Sequence, residues 1–584
     1  MSSFIFAARR CLFWGGPILL LAFLLQLHIG NAGGTGKNLP QTAIIWGCMS
    51  LFSLGIIWRT RRTSGVCTPV TIIIFIATLL LWLPWFYTQP AWRSESLWPL
   101  LGLFAGVVFY LSALQFSWSL RRLQQILMFI IIVSVLQAGL VLWQYAWPGS
   151  LISWLSYPQD KLLRQTGVFQ QVNLLASFIA TGFAATLLVS LSSAFSSHRV
   201  SRGILVISLV LLPLLLVLLQ SRIGWLGAIS ATLMLLLFSG RQDLCKTAST
   251  IGFALLGVIL GIATLWSSSD MPLSHENSDY ARSIMLRDTL AMIQERPWLG
   301  WGYGGFEYNF QHFRLNRGES TLGVGIATHP HNEFLYRWVE GGVVGLAGML
   351  LLALAGGWVL WQAYQRERRA KSTSEAGVFI GLGSCLLPFL LHTQTEYPFY
   401  LSALHWGMFL LLLAIWDRLS VPHQKLVIIP QYIAQTGRTL LSGILLATLI
   451  FTSTGGYSGW LLWRFEQQQF QGPVPYWQIN PWLLAERARF DEQVASLLVF
   501  NQDRSLIRLN RYAIWAKEYS CTHIDREVYA HLVQILLALE LRDSAKHWGE
   551  EGHRLFPDDT RLQAFAISSD NPIVHPVPTC VAVN

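Results

Sequence analysis

The chain has 584 residues, 53% of them hydrophobic and only 12% charged, about half the charged share of an ordinary soluble domain. That balance excludes a soluble enzyme over most of the length and calls for a bilayer. The formal net charge of +10 does not point to nucleic acid, because the basic residues stand in short clusters between apolar runs, a pattern of membrane topology.

Apolar runs of about 18 to 25 residues, the length a hydrocarbon core of about 30 Å requires, begin near the N-terminus. They lie near 11–29, 41–58, 68–87, 97–117, 124–147, 167–191, 203–220, 223–239 and 249–266. The first follows Arg9 and Arg10 without a small-residue cleavage site, so it reads as a retained span. These runs define a membrane portion over 1–266. Residues 267–338 read as a large loop, and four further runs near 339–361, 376–393, 399–416 and 438–454 form a second membrane portion over 339–454. About thirteen helical spans are expected on this criterion. Residues 455–584 differ in character. Within them "DREVYAHLVQILLALELRDSAKHWGEEGHRLFPDD" has helical period, with Val528, Leu532, Ile535 and Leu536 able to share one face. Helix hairpins of the tetratricopeptide kind suit it, although no repeat period is clear. Pro572, Pro576 and Pro578 mark an extended end.

Cys11, Cys48, Cys67, Cys245 and Cys385 fall in or beside spans. Cys521 and Cys580 alone share the C-terminal region, where a disulfide between them is left open. No CxxC or zinc-like spacing occurs.

Numbering the loops alternately from an inner N-terminus puts Arg59, Arg61, Arg62, Arg121, Arg122, Arg199, Arg202, Arg366, Arg368 and Arg369 on one side. The short loops of the other side hold only Lys37, Arg93, Lys161, Arg164 and Arg222. The basic side faces the cytoplasm, so the N-terminus is expected inside, with the 267–338 loop and the tail outside.

Unusual polar patches then all fall on the outer side. "RQTGVFQQVNLLASF" (164–178) brings Gln170, Gln171 and Asn173 to the mouth of the sixth run, and "LLQSRIGWLG" (218–227) brings Arg222 to an outer turn. "ARSIMLRDTLAMIQERPWLGWGYGGFEYNF" (281–310) carries Arg282 and Arg287, "ATHPHNEFLYRWVEGGVVGL" (327–346) carries His329, His331, Asn332 and Glu333, and "HTQTEYPFY" (392–400) carries Glu396 and Tyr397. Each patch has a bland reading. Arg222 can anchor a helix end by snorkelling, and Gln171 with Asn173 can glue helices together. "GWGYGG" lacks the strand–turn–helix setting of a dinucleotide fingerprint. "HPH" supplies two histidines two apart with no third ligand, which argues against a metal. Against these stands the shared side, and ionisable groups at a membrane edge are functional suspects. Pro330 suits the first position of a helix, which would place His331, Asn332 and Glu333 on its first turn. A helix start flanked by arginines describes a receptor for phosphate.

At these residues the chain resembles the bacterial protein-glycosylating O-oligosaccharyltransferases, the PglL-like, pilin-glycosylating group of the superfamily that also holds the O-antigen ligases and polymerases. "GVFQQVNLLASF" resembles that group's Phe-x-Gln-Pro-Asn stretch with Gln171 and Asn173 on its Gln and Asn, although Val172 stands where proline is usual. "QSRIGW" resembles the arginine motif before the large external loop, "RSIMLRDTLAMIQERPWLGWGYGGF" with "HPHNEFLYRWVEGGVVG" resembles that loop and its histidine, and "EYPF" resembles the tyrosine motif after it. Together they cover roughly residues 160 to 400.

The resemblance implies an all-α polytopic membrane bundle in the bacterial inner membrane, with a periplasmic loop and a periplasmic C-terminal helical domain. It implies transfer of a glycan from an undecaprenyl-diphosphate carrier to a serine or threonine hydroxyl of an exported protein such as a type IV pilin, without metal, cofactor or nucleic acid. His331 is then the expected catalytic base, and Arg222, Arg282 and Arg287 the cations that meet the leaving diphosphate. Gln171, Asn173, Tyr397, Asn332 and Glu333 would position substrates, with His329 and Glu396 behind them. The rivals are an O-antigen ligase using the lipid A core, an O-unit polymerase and, in another class, a lipid-linked glycan transporter or flippase. A transporter should show broken helices and charges near mid-membrane, whereas here the polar groups gather at one edge.

Overall fold

A computed structural model describes residues 36–565 except 148–164, 170, 196–197, 240–242, 268–275, 323, 371–374, 423–424 and 473–479. The run near 11–29, Lys161, Arg164, Gln170, Cys580 and the proline-containing end lie outside the described residues, and Cys521 is disulfide-bonded.

Among the described residues the fold is all-α apart from one small strand pair. Helices α1 (Pro40–Thr60), α2 (Pro69–Tyr87) and α3 (Pro90–Leu114) each open on a proline, whose missing N–H costs nothing at that position. Thr68 and Thr71 add a reciprocal capping box to α2. The chain continues through α4 (Leu120–Ala146), α5 (Val172–Leu191), α6 (Arg199–Leu218), α7 (Arg222–Phe238) and α8 (Leu244–Ser267). The large loop contains α9 (Glu276–Glu295) and α10 (Phe306–Asn316), and α11 (Glu333–Ala370) follows. Then come α12 (Val378–Ser384), α13 (Leu387–His392), α14 (Pro398–Leu401), α15 (Ala403–Ser420) and α16 (Gln431–Gln467).

Among the described residues nine helices are long and apolar enough to cross a membrane. The run near 223–239 forms the shorter α7. The run near 376–393, expected as one span, is instead split into α12 and α13. Pro388 sits in the first turn of α13 and has no N–H with which to continue a helix from α12.

Helix α5 is buried along its entire length, so it is the axis around which its neighbours pack. Its first turn therefore presents Gln171 and Asn173 at the centre of one end of the bundle.

The two ends differ. At one, β1 (Gly65–Cys67) pairs antiparallel with β2 (Val427–Ile429), Arg438 Nη1 donates to Thr63 O at 2.6 Å and Ser239 Oγ donates to Gly377 O at 3.0 Å. At the other lie the starts of α3, α5 and α7, the loop helices α9 and α10, the 392–402 turn and a C-terminal module. That module contains α17 (Ala485–Asp503), α18 (Leu506–Tyr519), α19 (Arg526–Ala538) and α20 (Arg542–Leu555). Val528, Leu532, Ile535 and Leu536 are buried together with Leu509, Tyr512 and Ala516. The module seats on α10 and the start of α3 through an apolar cluster that includes Trp92, Tyr308, Leu315, Ile524 and Leu555. Trp92 Nε1 donates to Cys521 O at 2.9 Å, and Ile524 N donates to Glu307 Oε1 at 2.7 Å.

Candidate functional site

Glu396 lies just beyond α13, its N–H donating to His392 O at 2.9 Å. Its residue surface is only 2% exposed, and a carboxylate so buried is costly unless donors surround it. Four do. Oε1 accepts from Asn173 Nδ2 at 2.7 Å and from Arg282 Nη2 at 3.1 Å. Oε2 accepts from Gln171 Nε2 at 2.9 Å and stands 3.0 Å from His392 Nε2. Burial pushes this carboxyl up, but His392, Asn173 and Arg282 outweigh it and hold it below the usual carboxylate range. Glu396, expected only behind the reacting groups, is thus the point on which they converge.

A chain of hydrogen bonds runs from Glu396 into the bundle. His392 Nδ1 is 2.9 Å from Ser177 Oγ, Ser177 Oγ is 3.2 Å from His405 Nε2, and His405 Nδ1 is 2.9 Å from Ser402 Oγ. Leu174 O, which can only accept, lies 3.0 Å from His405 Nε2. The proton is therefore assigned to that nitrogen, leaving Nδ1 to accept from Ser402. A carboxylate can only accept, so the His392 Nε2–H is aimed at Glu396. Reading by motif missed Ser177, His392 and His405 because each sits within an apolar run. The i,i+4 pairing of His392 with Glu396 in "HTQTE" was the available signal.

His331 approaches from the other wall. Helix α11 opens at Glu333 rather than at Pro330. Asn332 caps it, its Oδ1 accepting from Leu335 N at 3.1 Å, and Glu333 N donates to Thr393 O at 3.1 Å. These donors of the helix start are taken by the protein itself, so the anion receptor expected there is not formed by them. Asn332 Nδ2 also donates to Gln394 Oε1 at 3.2 Å. His331 precedes the helix with φ of 58°, a conformation uncommon outside glycine, and its N–H donates to His329 Nδ1 at 3.0 Å. Its own Nδ1 is buried without a hydrogen-bond partner. Burial pushes the imidazole down to about 4, with Glu396 opposing and His329 and Arg282 adding to the shift. The ring is therefore neutral near pH 7 and has a lone pair to offer.

Rings support it. His329 stacks on Tyr397 with centroids 4.3 Å apart and lies 4.2 Å from Tyr336. His331 meets Tyr397 edge-on at 5.7 Å. His329 Nε2 is 3.5 Å from Glu333 Oε1, and its Nδ1 accepts from His331 N.

The arginines separate. Arg282 reaches Glu396. Arg222, at the start of α7, donates to Asp279 Oδ2 at 2.9 Å, and Asp279 precedes Arg282 by three residues on α9, one turn away on the same face. Ser221 Oγ, beside Arg222, donates to Asn173 Oδ1 at 2.7 Å, tying that turn to the Glu396 cluster. Arg287 turns elsewhere. It donates to Asp288 at 2.7 Å and pairs with Glu319 at 3.1 Å, so the structure does not bring it to the others.

One group among the described residues, Glu95, Glu486 and His523, has the spacing of metal ligands. Lys37 Nζ already stands 3.3 Å from Glu486 and 3.8 Å from Glu95. Although burial works the other way, Glu307 and Glu486 push His523 up to about 10, which leaves it protonated and without a lone pair for an ion.

Compared with known families, residues 207–350 match a family model described as O-antigen ligase. Residues 381–568 match the C-terminal model of the virulence factor membrane-bound polymerases. No curated protein matches the chain.

Proposed function

From the premise that this chain belongs to the O-antigen ligase and polymerase superfamily, membrane glycosyl-transferring enzymes that act on lipid-linked glycans, we propose that it is a protein O-oligosaccharyltransferase. It takes a glycan from undecaprenyl diphosphate at the periplasmic face of the inner membrane and transfers it en bloc to a serine or threonine hydroxyl of an exported protein such as pilin. The observation that carries this reading is the convergence of Gln171, Asn173, Arg282 and His392 on Glu396, beside His331 and Tyr397.

The chemistry follows from that grouping. The acceptor oxygen forms a bond to the anomeric carbon as the bond from that carbon to the diphosphate oxygen breaks. The acceptor proton passes to the free Nδ1 of His331, and the electron pair leaves on the diphosphate. Arg282 and Arg222 offset the developing charge, each exchanging a carboxylate partner for phosphate oxygens. Gln171, Asn173 and Tyr397 orient the sugar and the acceptor. Attack in line inverts the anomeric centre, and a product of retained configuration would overturn this scheme.

The O-antigen ligase description of the first match supports a second reading, with the lipid A core as acceptor. The folded C-terminal module supports a protein acceptor, because it offers a surface on which a polypeptide can be held. Deleting the gene separates the two. Exported pilin that loses glycan mass while lipopolysaccharide keeps its length pattern supports protein glycosylation; the reverse outcome supports the ligase.

A further inference from the structure

Beyond the reacting centre, on the far side of the tyrosine cluster, lies a cavity of about 160 Å³. We propose that it is a saccharide subsite, holding a sugar of the donor glycan beyond the one that reacts. This rests on the function proposed above and adds where the rest of the glycan is read.

The cavity is bounded by four parts of the chain. The first turns of α3 give one wall, the glycine turn before α10 another, and α11 with Tyr400 a third, while Thr522 and His523 of the C-terminal module complete it. An apolar cavity of about 150 Å³ takes up benzene, so this one has room for the core of one small ring, and its open side leaves space for substituents. Its polar groups already hold hydrogen bonds or ion pairs. Glu340 Oε1 accepts from Gly304 N at 2.9 Å and from Phe306 N at 3.2 Å. The Arg337 guanidinium donates to the Tyr400 hydroxyl and lies over the Tyr336 ring. His523 stands 3.6 Å from Glu307 and 2.8 Å from Glu486. With Glu95, Glu307 and Glu340 in the lining against Arg337 and His523, an anionic guest is disfavoured. A neutral polyol would find carboxylate acceptors, guanidinium and hydroxyl donors, and the Phe306, Tyr336 and Tyr400 rings for its C–H faces.

The spacing fits a sugar chain. Tyr336 and Tyr400 line the cavity, and their rings lie 4.2 and 6.0 Å from His329, whose ring is 6.4 Å from that of His331. The cavity wall thus lies two ring-to-ring steps beyond His331, on the order of two sugar units. A subsite reached by a tether needs little affinity of its own, because the linked sugar is already at high effective concentration.

The test uses the purified full-length enzyme, an acceptor peptide and two polyprenyl-diphosphate donors, one bearing a single sugar and one an oligosaccharide. Glu307→Gln and Thr328→Val change the lining by one functional group each. The expected result is that kcat/KM for the oligosaccharide donor, divided by that for the single-sugar donor, falls about tenfold in either variant, as for one hydrogen bond lost. An unchanged ratio overturns the subsite. So does an equal loss with both donors, which would mean that these residues serve the fold or the reacting centre. A change confined to the KM of the acceptor assigns the cavity to the acceptor instead. If the unmodified enzyme transfers from neither donor, the function itself fails and takes the subsite with it.

Discussion

Glu396 shows how one side chain can organise several that were recognisable separately. A carboxylate accepts from four donors at once; an amide cannot, because half of its polar atoms are donors. Glu396→Gln keeps the volume but turns an NH2 group toward at least one existing donor. Transfer should fall by about 10²-fold, the usual scale for losing a preorganised electrostatic contact, as read from kcat/KM with a defined donor. Ser177→Ala should have a smaller effect in the same direction, since it touches Glu396 only through His392. His331 allows a cleaner separation of chemistry from fold. Its left-handed backbone is one that glycine adopts freely, so His331→Gly should leave the thermal midpoint unchanged or slightly higher. The same change should reduce transfer by about 10²- to 10⁴-fold, as for a lost general base. The base must be neutral to accept a proton. Since burial pushes this imidazole down to about 4, activity should hold from neutral pH downward and fall only as pH approaches 4, rather than near the ordinary histidine value of about 6.5. A pH–rate profile whose acid limb lies at 6 to 7 would remove His331 from that role. The motif residues Gln171, Asn173 and Tyr397 were legible as polar groups at span ends, and Arg282 as a cation of the large loop. The His392–Ser177–His405 chain was not, because a polar residue inside an apolar run reads the same whether it pairs with a neighbouring helix or with a carboxylate.

At the scale of elements, α11 departs most from its sequence pattern. The hydrophobic run near 339–361 is continuous, yet the helix breaks at Gly342, where φ is 61° and ψ is −157°. The break lets the loop after α9 dock on the helix backbone. Val343 N donates to Trp298 O at 3.1 Å, Trp301 N to Val339 O at 2.8 Å and Gly302 N to Glu340 O at 2.9 Å. A Cβ at Gly342 would stand 2.1 Å from Trp298 O. Gly342→Ala should therefore destabilise the protein by at least about 2 kcal/mol from backbone strain alone, with the clash in addition, seen as a lowered thermal midpoint of the purified enzyme. Normal stability in that variant would show that the break is not required. Periodicity could not reveal this kink, because its cause is Trp298, more than forty positions earlier in the chain. The split between α12 and α13 was closer to legible, since Pro388 announces it.

At the scale of the whole molecule, the expectation that the unusual polar groups share one side rested on arginine and lysine counts. The structure gathers those groups at one end of the bundle, with the strand pair at the other. What no count of loop charges could supply is the seating of the C-terminal module, which depends on long-range contacts such as that between Trp92 and Cys521. His523 anchors that seat among Glu307, Glu486 and Lys37. Its folded value, about 10, lies above the ordinary histidine value. The stabilisation it gives is therefore complete below about 6.5, shrinks as pH rises, and is lost once pH passes about 10. Glu486 is held down to about 2, so its share persists above the ordinary carboxylate range and disappears only in strong acid. Hydrogen exchange across 485–565 should accordingly speed up between pH 7 and pH 10 more than base catalysis of exchange explains, and His523→Gln should flatten that excess. Equal corrected protection at both pH values would show that this contact does not hold the module in place.

The strand pair at the opposite end has a consequence for biogenesis. Residues 65–67 find their partner only at 427–429, after almost every intervening hydrophobic segment has left the ribosome. The early helices therefore enter the lipid before this clasp can form, and nearly the last segment to arrive fastens it.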